Sequence, residues 1–135
     1  MTIATNMSNK VVTVEMDDTL LTIRMIYENV KFHHLLVVEN KKLVGVISDR
    51  DFLRAISPFL KTFSETAHDR DTLNKRAHQI MSRNPITVNP ETSIEFAAGI
   101  MLKNNISCLP VVSSQDSLKG IVTLKDIIKY YLRSK

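Results

Sequence analysis

The sequence predicts an α/β fold built from two copies of one β-α-β-β-α unit, and three observations carry that expectation. The chain resembles itself at a fixed offset. Met7-Ser8 recurs as Met81-Ser82, Val12-Thr13-Val14 as Ile86-Thr87-Val88, Thr19-Leu20 as Ser93-Ile94, and Leu35-Leu36-Val37-Val38 as Leu109-Pro110-Val111-Val112, a shift of 74. After one extra residue between Ser113 and Ser117 the shift becomes 75, so that Leu43 meets Leu118, Gly45 meets Gly120 and Asp51 meets Asp126. Within each copy, short β-branched runs alternate with stretches of helical apolar spacing. Each copy also ends a strand in Gly, two β-branched residues and a hydroxyl residue, with Asp three positions on: Gly45-Val46-Ile47-Ser48-Asp49-Arg50-Asp51 and Gly120-Ile121-Val122-Thr123-Leu124-Lys125-Asp126. Self-similarity at such a period marks a repeated supersecondary unit. Two copies are too few for a solenoid, so the units are expected to pack on each other through their sheets, related by a pseudo-twofold axis.

Taken in order, Val11-Val12-Thr13-Val14 reads as a short strand. Asp17-Asp18-Thr19 opens a helix, with Thr19 as N-cap and the acids at the positive end of the dipole. Leu20, Ile23, Ile26, Tyr27 and Val30 recur at helical spacing and predict its core face. Leu35–Glu39 and Leu43–Ser48 read as strands joined by the polar turn Asn40-Lys41-Lys42. The helix from Asp51 is expected to stop near Ser57-Pro58, because a residue before proline disfavours helix.

Phe59 to Gln79 breaks the pattern. Its stretch Ser64 to Asp71 is polar and reads as a mobile loop, and Thr72 to His78 as a short helix. The second copy follows as strand Ile86–Val88, a helix from Ser93 to about Asn104, strands Leu109–Val112 and Leu118–Thr123, and a helix to Leu132. Pro110 inside a strand predicts an edge or strand-start position. The expected organisation is therefore residues 1–58 as repeat one, 59–79 as linker and 80–135 as repeat two.

Composition narrows the function. Apolar content is ordinary for a globular chain, and the 3 glycines and 4 prolines are too few for a disordered one. Cys108 is the only cysteine, so no intrachain disulfide can form, and a reducing, cytoplasmic setting fits. The first ten residues are polar and lack a signal core, and the longest apolar runs are strand-length, so membrane insertion is not expected. The net charge of +4 suits an anionic partner, yet Lys and Arg are scattered and Trp is absent, which argues against nucleic acid. The spacings of His33, His34, His68 and His78 match no metal motif.

The strand-to-helix junctions hold the chemistry. A strand that ends at a free helix N-terminus offers unpaired backbone N–H groups to an anion. Ser/Thr-x-x-Asp is also a capping box, in which the hydroxyl accepts from a first-turn amide and the acid reaches back. Both readings apply to Ser48/Asp51 and to Thr123/Asp126.

The residues Ile80-Met81-Ser82, Ile86-Thr87-Val88-Asn89-Pro90-Glu91-Thr92-Ser93-Ile94, Asn105 to Val112, and Leu118 to Asp126 together resemble a CBS domain, the family named for cystathionine β-synthase. The first half resembles a more divergent copy, with Met16 where Pro90 stands and Leu36 where Pro110 stands. The whole is similar to a CBS pair, or Bateman module. That resemblance implies two clefts holding adenosine compounds: AMP, ADP, ATP or S-adenosylmethionine. It implies that each cleft draws its hydroxyl and Asp from one repeat and its remaining wall from the other. One would combine Thr123 and Asp126 with Val11, Val12, His33 and His34, with Lys125 flanking. The second would combine Ser48, Arg50 and Asp51 with Ile86, Ser107 and Cys108, Arg50 serving as a phosphate donor. An ionised Asp can accept from both hydroxyls of a ribose at once. Cys108 is equally read as a small core residue, His33-His34 as a surface pair and Arg50 as a solvated side chain.

Three functions follow. The first is a regulatory module that binds an adenine nucleotide, without any required cofactor, and signals to a partner enzyme or transporter. The second is a structural module that dimerises with its clefts empty. The third, an enzyme, finds no activated nucleophile, metal set or acid–base pair in its favour. A homodimer is expected in either of the first two.

Overall fold

The computed structural model describes residues 1–30 and 32–133, and they form two compact units. One, here the Ser48 unit, comprises Val12–Asn40 and Val44–Asn84. The other, the Thr123 unit, comprises Met1–Val11, Lys41–Leu43 and the chain from Pro85 onward.

In the Ser48 unit, β1 (Thr13–Glu15) is followed by α1 (Leu20–Asn29), β2 (His34–Glu39), β3 (Lys42–Ser48, of which Val44 onward belongs to this unit) and α2 (Asp49–Ala55). β1 runs parallel to β2, with Val14 opposite Val37. Thr19 caps α1 by accepting from the Thr22 amide. The β2–β3 turn is tighter than expected. Asn40 and Lys41 both hold positive φ, 52° and 67°, the signature of a two-residue type I′ turn, and Lys42 already belongs to β3. Val14, Leu20, Ile23, Leu35, Val37, Ile47 and Phe52 form the core. Phe52 pins α2 to it, with its ring 5.7 Å from that of Tyr27 and 6.3 Å from that of Phe32.

The stretch expected as a mobile loop contains a helix, α3 (Ala67–Asp71), continuing as a 3₁₀ turn, Thr72–Asn74. Asp69 is the reason. Its carboxylate accepts from the Ser57 hydroxyl at 2.7 Å and from the Thr66 amide at 2.8 Å, while Thr66 accepts from the Asp69 amide. The short helix expected from Thr72 to His78 breaks at Lys75, whose backbone is extended, and resumes as α4 (Ala77–Ile80). β4 (Ser82–Arg83) then pairs antiparallel with β3, placing Gly45 opposite Arg83 and Val46 opposite Ser82. The sheet order is β1-β2-β3-β4.

The Thr123 unit repeats this arrangement. α5 (Ile94–Asn104) is capped by Ser93, whose hydroxyl accepts from the Phe96 amide. It leads to β5 (Cys108–Val112), β6 (Leu118–Thr123) and α6 (Leu124–Arg133). The strand expected over Ile86–Val88 is reduced to one parallel bridge, Val88 to Val111, the counterpart of Val14 to Val37. Proline explains the loss. In the Ser48 unit the Leu36 amide donates to the Val12 carbonyl at 3.0 Å; Pro110, at the equivalent place, has no N–H to give.

The lead-in segments are exchanged. Ser8, ahead of repeat one, bridges Ile121 of the Thr123 unit, as Ser82, ahead of repeat two, pairs with Val46 of the Ser48 unit. The Ala77 amide bonds the Asp18 carbonyl, and the Ile3 amide bonds the Thr92 carbonyl. Both conserved-offset glycines accommodate these lead-ins. A Cβ on Gly45 would lie 2.5 Å from the Met81 sulfur, and one on Gly120 would lie 2.5 Å from the Ser8 carbonyl oxygen. Each glycine thus lies against a Met-Ser lead-in, Met81-Ser82 for Gly45 and Met7-Ser8 for Gly120.

Candidate ligand-binding site

At each junction the strand delivers a hydroxyl to the helix N-terminus and the Asp of the first turn folds back on it. The Thr123 amide and hydroxyl both donate to Asp126 Oδ2, at 2.9 and 3.0 Å, while the Asp126 amide donates to Thr123 Oγ1 at 3.3 Å. At the other junction the Ser48 amide donates to Asp51 Oδ2 at 3.3 Å and the Asp51 amide to Ser48 Oγ at 3.0 Å. The capping reading is therefore met at both. It uses one carboxylate oxygen in each case, and Oδ1 of Asp51 and of Asp126 has no hydrogen-bond partner among the described residues. Both carboxylates are half-buried, so the open oxygen remains reachable.

Around Ser48 the structure gathers His33, His34 and Asp49. The Asp49 amide donates to the His33 carbonyl at 2.9 Å, and His33 Nδ1 lies 3.2 Å from Asp49 Oδ2. Asp49 Oδ1 also accepts from the Arg50 amide at 2.7 Å. His33 and the Arg50 side chain are exposed, while His34 is half-buried. Burial pulls the His34 imidazole below its ordinary pKa, against the opposing field of the Asp49 carboxylate. Val12 packs at the edge of this unit's core.

Around Thr123 the structure gathers Ser107 and Cys108. Cys108 is directly opposite Thr123 in the β5–β6 ladder, and the Ser107 carbonyl accepts from the Leu124 amide at 2.8 Å. Cys108 is buried, and that burial pushes its thiol up to about 11, so it is protonated at neutral pH. Lys125 and Ile86 are exposed, and Val11 is half-buried. Within each unit, then, the β2-start or β5-start residues meet the hydroxyl of the same unit.

Sequence reasoning passed over Asp49. Its signal was visible, an acid at the first helical position where the other repeat has Leu124. A concavity of about 650 Å³ elsewhere in the Thr123 unit, lined by Val88, Glu91, Phe96 and Asp116 among others, contains none of the expected ligand residues. Among the described residues no helix is long and apolar enough to cross a membrane, and no group of three His, Cys, Asp or Glu side chains is placed to hold a metal.

Comparison with known proteins places this geometry. The family model described as CBS domain matches residues 3–58 and 77–133. Protein MJ1225 of Methanocaldococcus jannaschii is 37% identical over 101 residues, 74% of this chain and 36% of its own length. Its crystal structure covers 96% of this chain and 47% of that one, with TM-score 0.81 and 30% identity. The chain thus spans less than half of that archaeal relative. The CBS domain pair of protein MJ0100, solved with 5′-methylthioadenosine and S-adenosyl-L-methionine, aligns with TM-score 0.80 and 26% identity over 100% of this chain and 98% of that one. The structure of CBSX2 in complex with AMP aligns with TM-score 0.79 and 25% identity, covering 98% and 96%.

Proposed function

The chain belongs to the CBS-domain family, and on that premise we propose that it is a regulatory module that binds an adenosine compound at its strand-to-helix junctions and signals occupancy to a partner protein. The observation that carries this reading is the half-used carboxylate. Asp51 and Asp126 each spend one oxygen on the cap and keep the other open. An open, ionised oxygen beside a hydroxyl and a helix N-terminus suits a ribose diol next to a phosphate. Relatives of like fold hold S-adenosyl-L-methionine with 5′-methylthioadenosine, and AMP. In this reading Thr123, Asp126 and Lys125, with Ser107 and Cys108 beside them, carry one site, and Ser48, Arg50 and Asp51, with His33 and His34 beside them, carry the other. The ligand acts as a regulator, not as the substrate of an enzyme.

A thermal-shift panel of ATP, ADP, AMP, S-adenosylmethionine and NAD tests it. A ligand at about a hundred times its dissociation constant stabilises the fold by about 2.7 kcal/mol. The capping bonds favour a second reading, a structural module with empty sites, because they account for both Asp residues without a ligand. A panel in which no compound raises the melting temperature would select it.

A further inference from the structure

We propose that the concavity of the Thr123 unit, bounded by residues 87–92, the flank of α5 and the β5–β6 turn, is a binding site of its own, and that it takes a small organic cation, an amine or guanidine on a short carbon body. The site shares no residue with either strand-to-helix junction, and its assignment does not depend on the adenosine-binding reading.

The concavity measures about 650 Å³, within the range of small-molecule sites. Val88 and Val112, only 7% and 9% exposed, give it an apolar floor. Ile100 is half-buried on the α5 flank, and Phe96, one turn earlier, is 63% exposed. The Phe96 ring joins no aromatic pair among the described residues. Glu91 enters the lining from the first segment and Asp116 from the turn. Neither carboxylate has a hydrogen bond or ion pair among the described residues, in a chain with 18 Lys and Arg against 14 Asp and Glu. No Lys, Arg or His lines the concavity. Lys42 bridges Ser117, the next residue along the turn, yet makes no ion pair with Asp116.

This lining selects by charge. Two carboxylates without a base repel phosphate, so a nucleotide is not the occupant. A cation gains from both carboxylates and from the negative face of the Phe96 ring, while its carbon body covers Val88 and Val112. Closure on three sides suits a short molecule over an extended peptide. The fold itself does not require the combination. At the offset of 74 Phe96 falls on Thr22, and at 75 Asp116 falls on Lys41, whereas Glu91 keeps a counterpart in Asp17. Repeat one thus makes the same β-α-β-β-α unit with the ring absent and one acid replaced by a base. The aromatic and the second acid belong to repeat two alone, and both line the same concavity.

Titration of the full chain with n-pentylamine, agmatine and the neutral 1-pentanol, followed by amide NMR shifts, tests this. Both cations should give saturable shifts at the amides of Asn89, Thr92, Ser113 and Asp116. Pentanol should bind about tenfold more weakly than pentylamine, the worth of two exposed charge contacts. Glu91→Gln combined with Asp116→Asn should weaken both cations by the same factor of about ten. Asn adopts the Asp116 φ of 61° as readily as Asp, so the turn is kept. Phe96→Leu keeps the apolar cover but loses the ring face, and should cost about threefold. Added salt should weaken the cations and leave pentanol unchanged. Shifts that fail to saturate, or that spread equally to Asp17 and Asp18, would overturn the site. So would cation affinity unchanged in the Glu91→Gln/Asp116→Asn protein, or pentanol binding as tightly as pentylamine.

Discussion

Asp126 can serve a helix and a ligand together because a carboxylate has two oxygens and the cap uses one. The two duties are separable by substitution. Asp126→Asn keeps an acceptor for the cap, so stability should fall by at most about 1 kcal/mol. It loses the charged acceptor for the diol, so affinity for AMP should fall by about 1.5–3 kcal/mol. Calorimetry beside thermal melting reads both, and a lower melting temperature with unchanged affinity would leave Asp126 as a cap alone. The glycines make a second test at this scale. A Cβ on Gly120 meets the backbone oxygen of Ser8, which cannot turn away, whereas one on Gly45 meets the flexible end of Met81. Gly120→Ala should therefore cost about 1–3 kcal/mol and Gly45→Ala less, by urea denaturation; equal costs would count against the close approach. At this scale the repeated hydroxyl and Asp were legible, because capping chemistry is local. The pairing of Asp49 with His33 was not, because the two lie sixteen residues apart and meet only once the strand and helix are formed.

Elements separate in the same way. The strands other than Ile86–Val88, and the Thr19 cap, follow from periodicity and N-cap chemistry, and the structure has them. α3 did not follow, because its stability lies in a contact across twelve residues, the Ser57 hydroxyl on Asp69, to which hydropathy is blind. The exchange of lead-ins was half legible. The recurrence of Met7-Ser8 as Met81-Ser82 was plain, but a local pattern does not say with which copy's strand a segment pairs. The α3 anchor predicts an acid response. The Ser57 hydrogen bond, then those of Thr66, hold the Asp69 carboxyl below its ordinary value of 3.8. The unfolded chain thus takes up this proton at a higher pH than the folded one, so the contribution of Asp69 is complete above 3.8 and lost as pH falls through the lower folded value. Ser57→Ala should flatten that acid limb and speed trypsin cleavage at Lys61 and Arg70, which flank the anchor. Unchanged cleavage would mean that the segment is held elsewhere.

At the scale of the whole molecule, the helices carry apolar surface that neither core uses. On α6 the buried residue is Ile127, yet Leu124, Ile128, Tyr131 and Leu132 are 43%, 51%, 43% and 66% exposed. Their spacing sets them along one side of the helix as a second stripe. α1 repeats the theme with Leu21 and Met25, 44% and 57% exposed. Stripes at helix spacing on both repeats suit another helix face of the same kind, and a second copy of this chain supplies one; the net charge of +4 is too small to hold two copies apart at physiological salt. The expected state is a homodimer with α6 in its interface. Light scattering at high micromolar concentration should give twice the chain mass, and the melting temperature should rise with protein concentration. Ile128→Asp places a charge in the centre of the stripe without touching Ile127, so it should weaken the dimer at least tenfold while the monomer keeps its circular dichroism. A wild-type chain that scatters as a monomer, or a dimer indifferent to Ile128→Asp, would overturn the assignment of that face.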